Sequence, residues 1–386
     1  MKPLKVLFTI DSLGRGGTER SLAELLPHLM QANITPLIAY FHSYTEGVEQ
    51  EVRDSGVETR LLNQHKTFAR VYKLRQIIAS WRRDLIHTAT FASDLAGRLA
   101  AVGTTIPVIS SLVSTPYTEV RFQDPNINRR KLRMVQAIDT WGARHLSTHF
   151  HAVSHTARDA AINTMGIAQQ CITVIPRGRN AERLGRGSCE RRQTPRAKLQ
   201  LGANETVLIT VGRHEYPKGH SYLITAMPKL VNYFPQLKLL IAGREGVTTP
   251  ELKQLCAQAG LNDKVRFLGH RNDIPDLLAA ADLFVFPSLY EGLPGAVIEA
   301  MALSLPIVAS NIGPVQEVVE DGGNALLVTP KSAVQLATAI HSLLNDSVQM
   351  RAFGKRSRAI FEERFKLERS AAQMVELYQK VVANGR

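Results

Sequence analysis

The chain has 386 residues, 44% of them hydrophobic, and a formal net charge of +13. That length exceeds one ordinary compact domain and suits two, and no stretch approaches the roughly eighteen consecutive apolar residues of a membrane-spanning helix. Cys171, Cys189 and Cys256 have neither CxxC nor metal-ligand spacing, which argues against disulfides and structural zinc, and Met1-Lys2-Pro3-Leu4-Lys5-Val6 has no signal-peptide layout, so a cytoplasmic protein with anionic partners is expected.

In the first half, apolar runs at Val6–Ile10, Pro36–Phe41, Val57–Leu62, Asp84–His87, Ile106–Ile109, His149–Val153 and Ile172–Ile175 alternate with segments of helical period. This alternation predicts an α/β domain. The first run ends in Asp11-Ser12-Leu13-Gly14-Arg15-Gly16-Gly17-Thr18-Glu19, after which Leu22, Leu25, Leu26 and Leu29 recur at helical spacing. Glycines there bring backbone N–H groups to a helix amino terminus, an arrangement that attracts an anion. Only Gly14 and Gly16 have the spacing of the dinucleotide fingerprint, so on its own the segment is a tight turn. A helix is expected over Phe68–Trp81, with Phe68, Val71, Leu74, Ile77 and Ile78 on one stripe and Arg70, Lys73, Arg75, Arg82 and Arg83 beside it. Two compatible readings stay open: the stripe is the core face of an α/β helix with solvated charges, or the helix meets an anionic membrane surface. Arg129-Arg130-Lys131 with Arg133 is a second basic concentration.

A domain boundary is expected near Arg179, where the arginine-rich stretch Asn180–Lys198 begins, with a short loop leading into a helix at Arg196–Leu201. The strand pattern then restarts at Val207–Val211, Leu237–Ala242, Val265–Leu268, Leu283–Phe286, Ile307–Ala309 and Ala325–Val328. Val207–Val211 exits into Gly212-Arg213-His214-Glu215-Tyr216-Pro217-Lys218-Gly219, ahead of a helix beginning near His220. Arg213 and Lys218 thus sit at the carboxyl edge of a parallel sheet, where ligands bind. A bidentate guanidinium beside a mobile ammonium suits a diphosphate, although a solvated loop would hold the same two residues. Leu283–Phe286 exits into Ser288-Leu289-Tyr290-Glu291-Gly292-Leu293-Pro294-Gly295-Ala296-Val297-Ile298-Glu299-Ala300-Met301. Pro294 suits the first turn of the next helix, and Glu299, about a turn and a half along it, can face the same crevice as Glu291. Gly292 and Gly295 free the backbone to approach an anion.

This block resembles the Glu, seven residues, Glu signature of the retaining glycosyltransferases of family four, whose GT-B architecture is α/β: two facing Rossmann-like domains with parallel sheets. The resemblance covers nearly the whole chain and is most specific in the second half. It implies an acceptor-side domain at residues 1–179, a nucleotide-sugar donor domain at 180–360, and a C-terminal helix at 361–386 that packs back on the first, with Phe361, Phe365, Met374, Leu377 and Val381 as apolar contacts. It implies that Glu291 lies by the transferred sugar and Glu299 on the nucleotide ribose. Gly292, Leu293, Pro294 and Gly295 would line the donor, and Arg213 and Lys218 would neutralise the departing diphosphate. The Gly16-Gly17 loop would face donor phosphates and acceptor. No Asp-x-Asp motif suggests a metal clamp, so neither metal nor cofactor is expected beside the nucleoside diphosphate sugar, which is the donor substrate.

Two departures stand out. Val113, in Pro107–Ser114, stands where the family often has a cleft histidine, and His87 is either packed structurally or near the cleft. In Ile175-Pro176-Arg177-Gly178-Arg179, Arg177 replaces the common asparagine of that turn, which tunes acceptor binding or only changes a hinge. The expected activity is retaining transfer of a hexose-type sugar to a hydroxyl of a glycan or lipid-linked acceptor, in the cytoplasm or peripherally on the inner face of the membrane, with no nucleic-acid partner. The alternatives are a nucleotide-sugar epimerase on the same fold and a non-catalytic basic protein that binds membranes or nucleic acid.

Overall fold

The computed structural model of the chain describes residues 3–14 and 16–384. It divides into two compact units, one of residues 1–123, 127–180 and 366–386, the other of residues 124–126 and 181–365.

The first unit is built on seven parallel strands: β1 (Leu4–Ser12), β2 (Ile34–His42), β3 (Glu58–Leu61), β4 (Leu85–Ala89), β5 (Val108–Leu112), β6 (His149–Ala152) and β7 (Ile172–Val174), in the order β3-β2-β1-β4-β5-β6-β7. A strand covered on both faces must be apolar at odd and even positions alike. In β1, Val6, Phe8 and Ile10 pack under the Gly17–Gln31 and Leu367–Asn384 helices, while Leu7 faces the Thr67–Ser80 and Phe91–Ala101 helices. The chain returns to this unit at Lys366, where the Leu367 N–H donates to the Arg179 carbonyl at 3.1 Å. Gly178 is needed beside that crossing, because a Cβ on it would lie 2.8 Å from the Lys366 carbonyl oxygen. Met374, Leu377 and Val381 complete the β1 core, but Phe361 and Phe365 fall in the second unit, so the returning segment starts later than residue 361.

The basic face expected beside the Thr67–Ser80 helix forms in part: Lys73, Arg75 and Arg82 are exposed, Arg70 and Arg83 are not. Arg70 is buried, its Nε donating to the Gln64 carbonyl at 2.7 Å, its Nη2 3.0 Å from His42 Nε2 and its guanidinium 4.3 Å from the Phe41 ring centre. Arg83 donates to the Trp81 carbonyl at 2.9 Å and is partly desolvated, while Trp81 packs against the core with Lys5 over its ring. Both guanidiniums find carbonyl acceptors there, and that of Arg70 also lies over an aromatic ring, which offsets part of the cost of their burial. Leu74, Ile77 and Ile78 are core, whereas Phe68 is exposed.

The second unit has six parallel strands: β8 (Thr206–Val211), β9 (Leu237–Ala242), β10 (Val265–Gly269), β11 (Leu283–Phe286), β12 (Ile307–Ser310) and β13 (Ala325–Val328), in the order β10-β9-β8-β11-β12-β13. The arginine-rich stretch is a helix at Cys189–Lys198 rather than at 196–201. Its cap is Ser188, whose hydroxyl accepts from the Arg191 N–H, and its arginines are structural: Arg191 pairs with Asp276, Arg192 with Asp282, and Arg196 donates to the Ala280 and Glu205 carbonyls. Cys171 and Cys256 are free thiols, and the Cys189 side chain lies outside the described structure. Among the described residues no helix is long and apolar enough to cross a membrane.

Candidate active site

The second unit's strand order reverses between β8 and β11, and the loops leaving their carboxyl ends open a crevice there. Gly219 has φ +63, and a Cβ on it would press on the Pro287 backbone, so only glycine lets the Tyr216–Lys218 turn approach the β11 exit. The Leu289 N–H donates to the Pro217 carbonyl at 2.7 Å and ties the two loops together. This brings Lys218 Nζ to 2.6 Å from Glu291 Oε1, with the side chains only 20% and 13% exposed. Lys218 Nζ also lies 5.9 Å from the Phe286 ring centre. Arg213, on the same loop, is exposed and in no ion pair among the described residues.

Glu299 is half-buried in the Gly295–Ala302 helix, and Pro294 caps that helix instead of entering its first turn. Gly292, Leu293 and Pro294 are buried, while Gly295 is half-buried. His220 is buried and held near pKa 3 by desolvation, so it is neutral and supports the loop by facing the Gly212 carbonyl at 3.3 Å. The hydroxyls of Thr210, near the end of β8, and Ser288, just after β11, are buried with no hydrogen-bond partner among the described residues. An unsatisfied buried hydroxyl costs about 1–3 kcal/mol. Both groups lie near the strand ends that frame the reversal point.

In the first unit the matching reversal lies between β1 and β4. Gly16 caps the Gly17–Gln31 helix, but the helix amino terminus is already occupied by its own Glu19, which folds back so that a Cβ on Gly16 would lie 2.8 Å from the carboxyl carbon. Burial raises the Glu19 pKa, opposed by its own backbone N–H, by Arg177 and by Ser12. The expectation that Gly16 and Gly17 offer this terminus to donor phosphates therefore meets a carboxylate in that place; Arg15 lies outside the described residues. Arg177 reaches this loop, its Nη2 3.3 Å from Thr18 Oγ1 and 3.5 Å from the Val113 carbonyl.

His87 is a buried structural residue in a chain of hydrogen bonds whose direction can be worked out. His151 Nε2 lies 3.0 Å from the Ile175 carbonyl, which only accepts, so Nε2 carries the proton and Nδ1 accepts from Ser111 at 3.0 Å. Ser111 then accepts from His87 Nε2 at 2.7 Å, and His87 Nδ1 accepts from the Tyr378 hydroxyl at 2.6 Å. Every proton is placed with both rings neutral, in agreement with pKa values lowered by burial to about 3 for His87 and about 4 for His151. The chain pins the Leu367–Asn384 helix to β4, β5 and β6. Beside it Val113, Phe8, Ile10, Leu22, Met374 and Arg177 are among the residues lining a cavity of about 90 Å³.

Sequence reasoning missed Thr210, Ser288 and the role of Glu19. Ser288 directly precedes the glutamate block, and Glu19 stands three residues after a capping glycine, the spacing of a capping box, which was the available signal.

Two family descriptions match the chain, Glycosyltransferase Family 4 over residues 15–183 and Glycosyl transferases group 1 over residues 191–360. The chain is a GT-B glycosyltransferase of family four. The transferase is 26% identical to the 2-deoxystreptamine glucosyltransferase of Streptomyces kanamyceticus over 84% of each chain. It is 25% identical to the UDP-Gal:alpha-D-GlcNAc-diphosphoundecaprenol alpha-1,3-galactosyltransferase of Escherichia coli, over 94% of this chain and 92% of that one. Its fold matches Anabaena HepE solved with UDP and glucose, with a TM-score of 0.86 at 24% identity over 97% of this chain and 99% of that one.

Proposed function

We propose that this transferase moves a hexose from a nucleoside diphosphate to a hydroxyl of a glycan or lipid-linked acceptor, with retention at the anomeric carbon and without a metal ion. The observation that carries the reading is the Lys218–Glu291 pair at 2.6 Å, held at the strand-order reversal between two loops that hydrogen-bond to each other. On donor binding Lys218 exchanges its carboxylate partner for diphosphate oxygens, joined by Arg213, and Glu291 is released to accept from the sugar hydroxyls. Fixed cations at the point where charge develops on the leaving diphosphate stabilise the transition state more than the ground state. Glu299, on the helix behind, takes the ribose. The diphosphate leaves and the acceptor oxygen attacks on the same face, its proton passing to the leaving phosphate oxygen.

The relatives' activities favour UDP-sugars as the first donors to test, since one relative's name specifies UDP-Gal and a diphosphoundecaprenol-linked acceptor, and a fold match was solved with UDP and glucose. The test is a panel of UDP-, GDP- and ADP-hexoses with membrane extract and with soluble glycans, following nucleoside diphosphate release and the product's anomeric configuration by NMR, with and without EDTA. Release with one donor, an unchanged configuration and no effect of EDTA are expected. Inversion, or loss of activity in EDTA restored by a divalent cation, overturns the corresponding part. Interconversion of the sugar nucleotide without acceptor would instead support an epimerase.

A further inference from the structure

We infer that the Arg129–Leu146 helix of the first unit is a membrane-docking face that seats on an anionic lipid bilayer. This rests on the transferase reading only in that it delivers the enzyme to acceptors at a membrane. The helix is fastened from below: Leu132 and Ala143 are buried in a core cluster with Phe150 and Met165, and Asp139 accepts from Arg98 Nη1 at 2.7 Å and from the Tyr117 hydroxyl at 2.8 Å. Asp139 is the only acidic residue in the helix, and it is buried. The outward face therefore carries no negative charge of its own.

That face has an unusual composition for a solvated helix. Met134, Ile138 and Trp141, spaced i, i+4 and i+7, are 57%, 40% and 53% exposed. At 100° per residue they fall within about 60° of one another, and Arg130 and Lys131 fall on either side of the stripe within about the same angle. Arg129 is exposed at the start of the helix and Arg133 along one edge, where its guanidinium lies 5.9 Å from the Phe122 ring centre. Three large apolar side chains with basic neighbours match the interfacial pattern, in which the apolar stripe enters the acyl boundary, a tryptophan sits at headgroup level and cations meet lipid phosphates. A polyanion such as nucleic acid would use the charges and leave the apolar stripe unexplained. The Thr67–Ser80 helix also exposes Phe68 and Tyr72, but it turns Arg70 inward to Gln64 and His42.

Flotation with vesicles of phosphatidylglycerol and phosphatidylcholine tests the inference, with pure phosphatidylcholine vesicles and duplex DNA as comparison. Wild type is expected to float with the anionic vesicles at low salt, to be released at high salt and to leave the neutral vesicles unbound. Met134→Ser/Ile138→Ser/Trp141→Ser should lower partition at least tenfold. Arg130→Gln and Lys131→Gln should each lower it about fivefold, the factor for one basic residue near such a surface. Val247→Ser, at an exposed apolar position of the second unit, should change nothing. Because the chain has two tryptophans, Trp81→Phe isolates Trp141, whose emission should shift to the blue and become shielded from iodide on vesicles. Circular dichroism and nucleoside diphosphate binding check that each variant is folded. Absent binding at low salt, equal binding by the triple variant, or binding to DNA but not to vesicles overturns the inference. A protein that floats as described yet binds no nucleoside diphosphate would refute the donor reading and leave the docking face standing.

Discussion

The two units share a strand order about their reversal point, yet their crevices are built in opposite ways. In the second unit the loops after β8 and β11 leave a cation and a carboxylate paired with each other, an exposed arginine and two unsatisfied hydroxyls. In the first, the helix terminus after β1 is occupied by its own Glu19, and the strand ends are closed by the Tyr378–His87–Ser111–His151 chain beside an apolar cavity. One crevice is poised to exchange partners with an anion. The other is largely closed by its own side chains, although Asp11 Oδ1 near the end of β1 is buried with no hydrogen-bond partner among the described residues, and its cavity is lined chiefly by apolar side chains with Arg177. Topology brings the loops together, but the side chains decide which charge is welcome.

The largest expected effect breaks the open crevice. Lys218→Ala and Arg213→Ala should each slow transfer by about 10² or more, the scale for one preorganised charge contact, and weaken nucleoside diphosphate binding; calorimetry with unchanged affinity in both variants would remove them from the donor site. Glu291→Gln sharpens the comparison, because it separates the carboxylate's two roles. Without its anionic partner Lys218 is free for phosphate, so nucleoside diphosphate affinity should rise a few-fold while transfer falls by about 10². Equal losses in both would mean that Glu291 only holds the loop.

The histidine chain of the first unit should make stability depend on pH. His87 is held near pKa 3 in the fold, chiefly by burial and secondarily by His151, against about 6.5 in the unfolded chain. Between those values the unfolded chain takes up a proton that the folded one refuses, so this contribution is present above about pH 6.5 and is lost as pH falls. The stability advantage of wild type over His87→Leu, from urea unfolding at pH 7, 6 and 5, should therefore shrink by about 1.4 kcal/mol per unit below pH 6.5. A constant advantage over that range would mean that the folded ring takes up its proton as readily as the unfolded one. The smallest effect concerns Glu19→Gln, which should cost less than about 1 kcal/mol of stability at the helix terminus and leave nucleoside diphosphate affinity within twofold. A several-fold gain in affinity would show that the glycine loop competes for the phosphates after all.

Much of this contrast was legible in the sequence and part of it was not, for physical reasons. Strands buried on both faces announce themselves as apolar runs, and all thirteen lie close to where those runs fall. The glutamate block and the Gly-Arg to Lys-Gly loop were readable as motifs, but the meeting of Lys218 with Glu291, 73 residues apart, depends on strand order. Charge in a sequence does not say which way it points: Arg70 turns inward and Arg191, Arg192 and Arg196 knit a helix to its own unit, while Arg130 and Lys131 stay outside. Whether His87 is packed or faces a ligand depends on a four-residue chain that crosses strands 24 and 64 positions later and a helix 291 positions later.

In the proposed mechanism the donor's diphosphate is held by the second unit. Hydrogen–deuterium exchange of the full chain, with and without the tightest-binding member of UDP, GDP and ADP, tests it most directly. Protection is expected at residues 212–220 and 288–299, with residues 11–20 unchanged; protection confined to residues 11–20, with the two loops of the second unit exchanging as before, would contradict it.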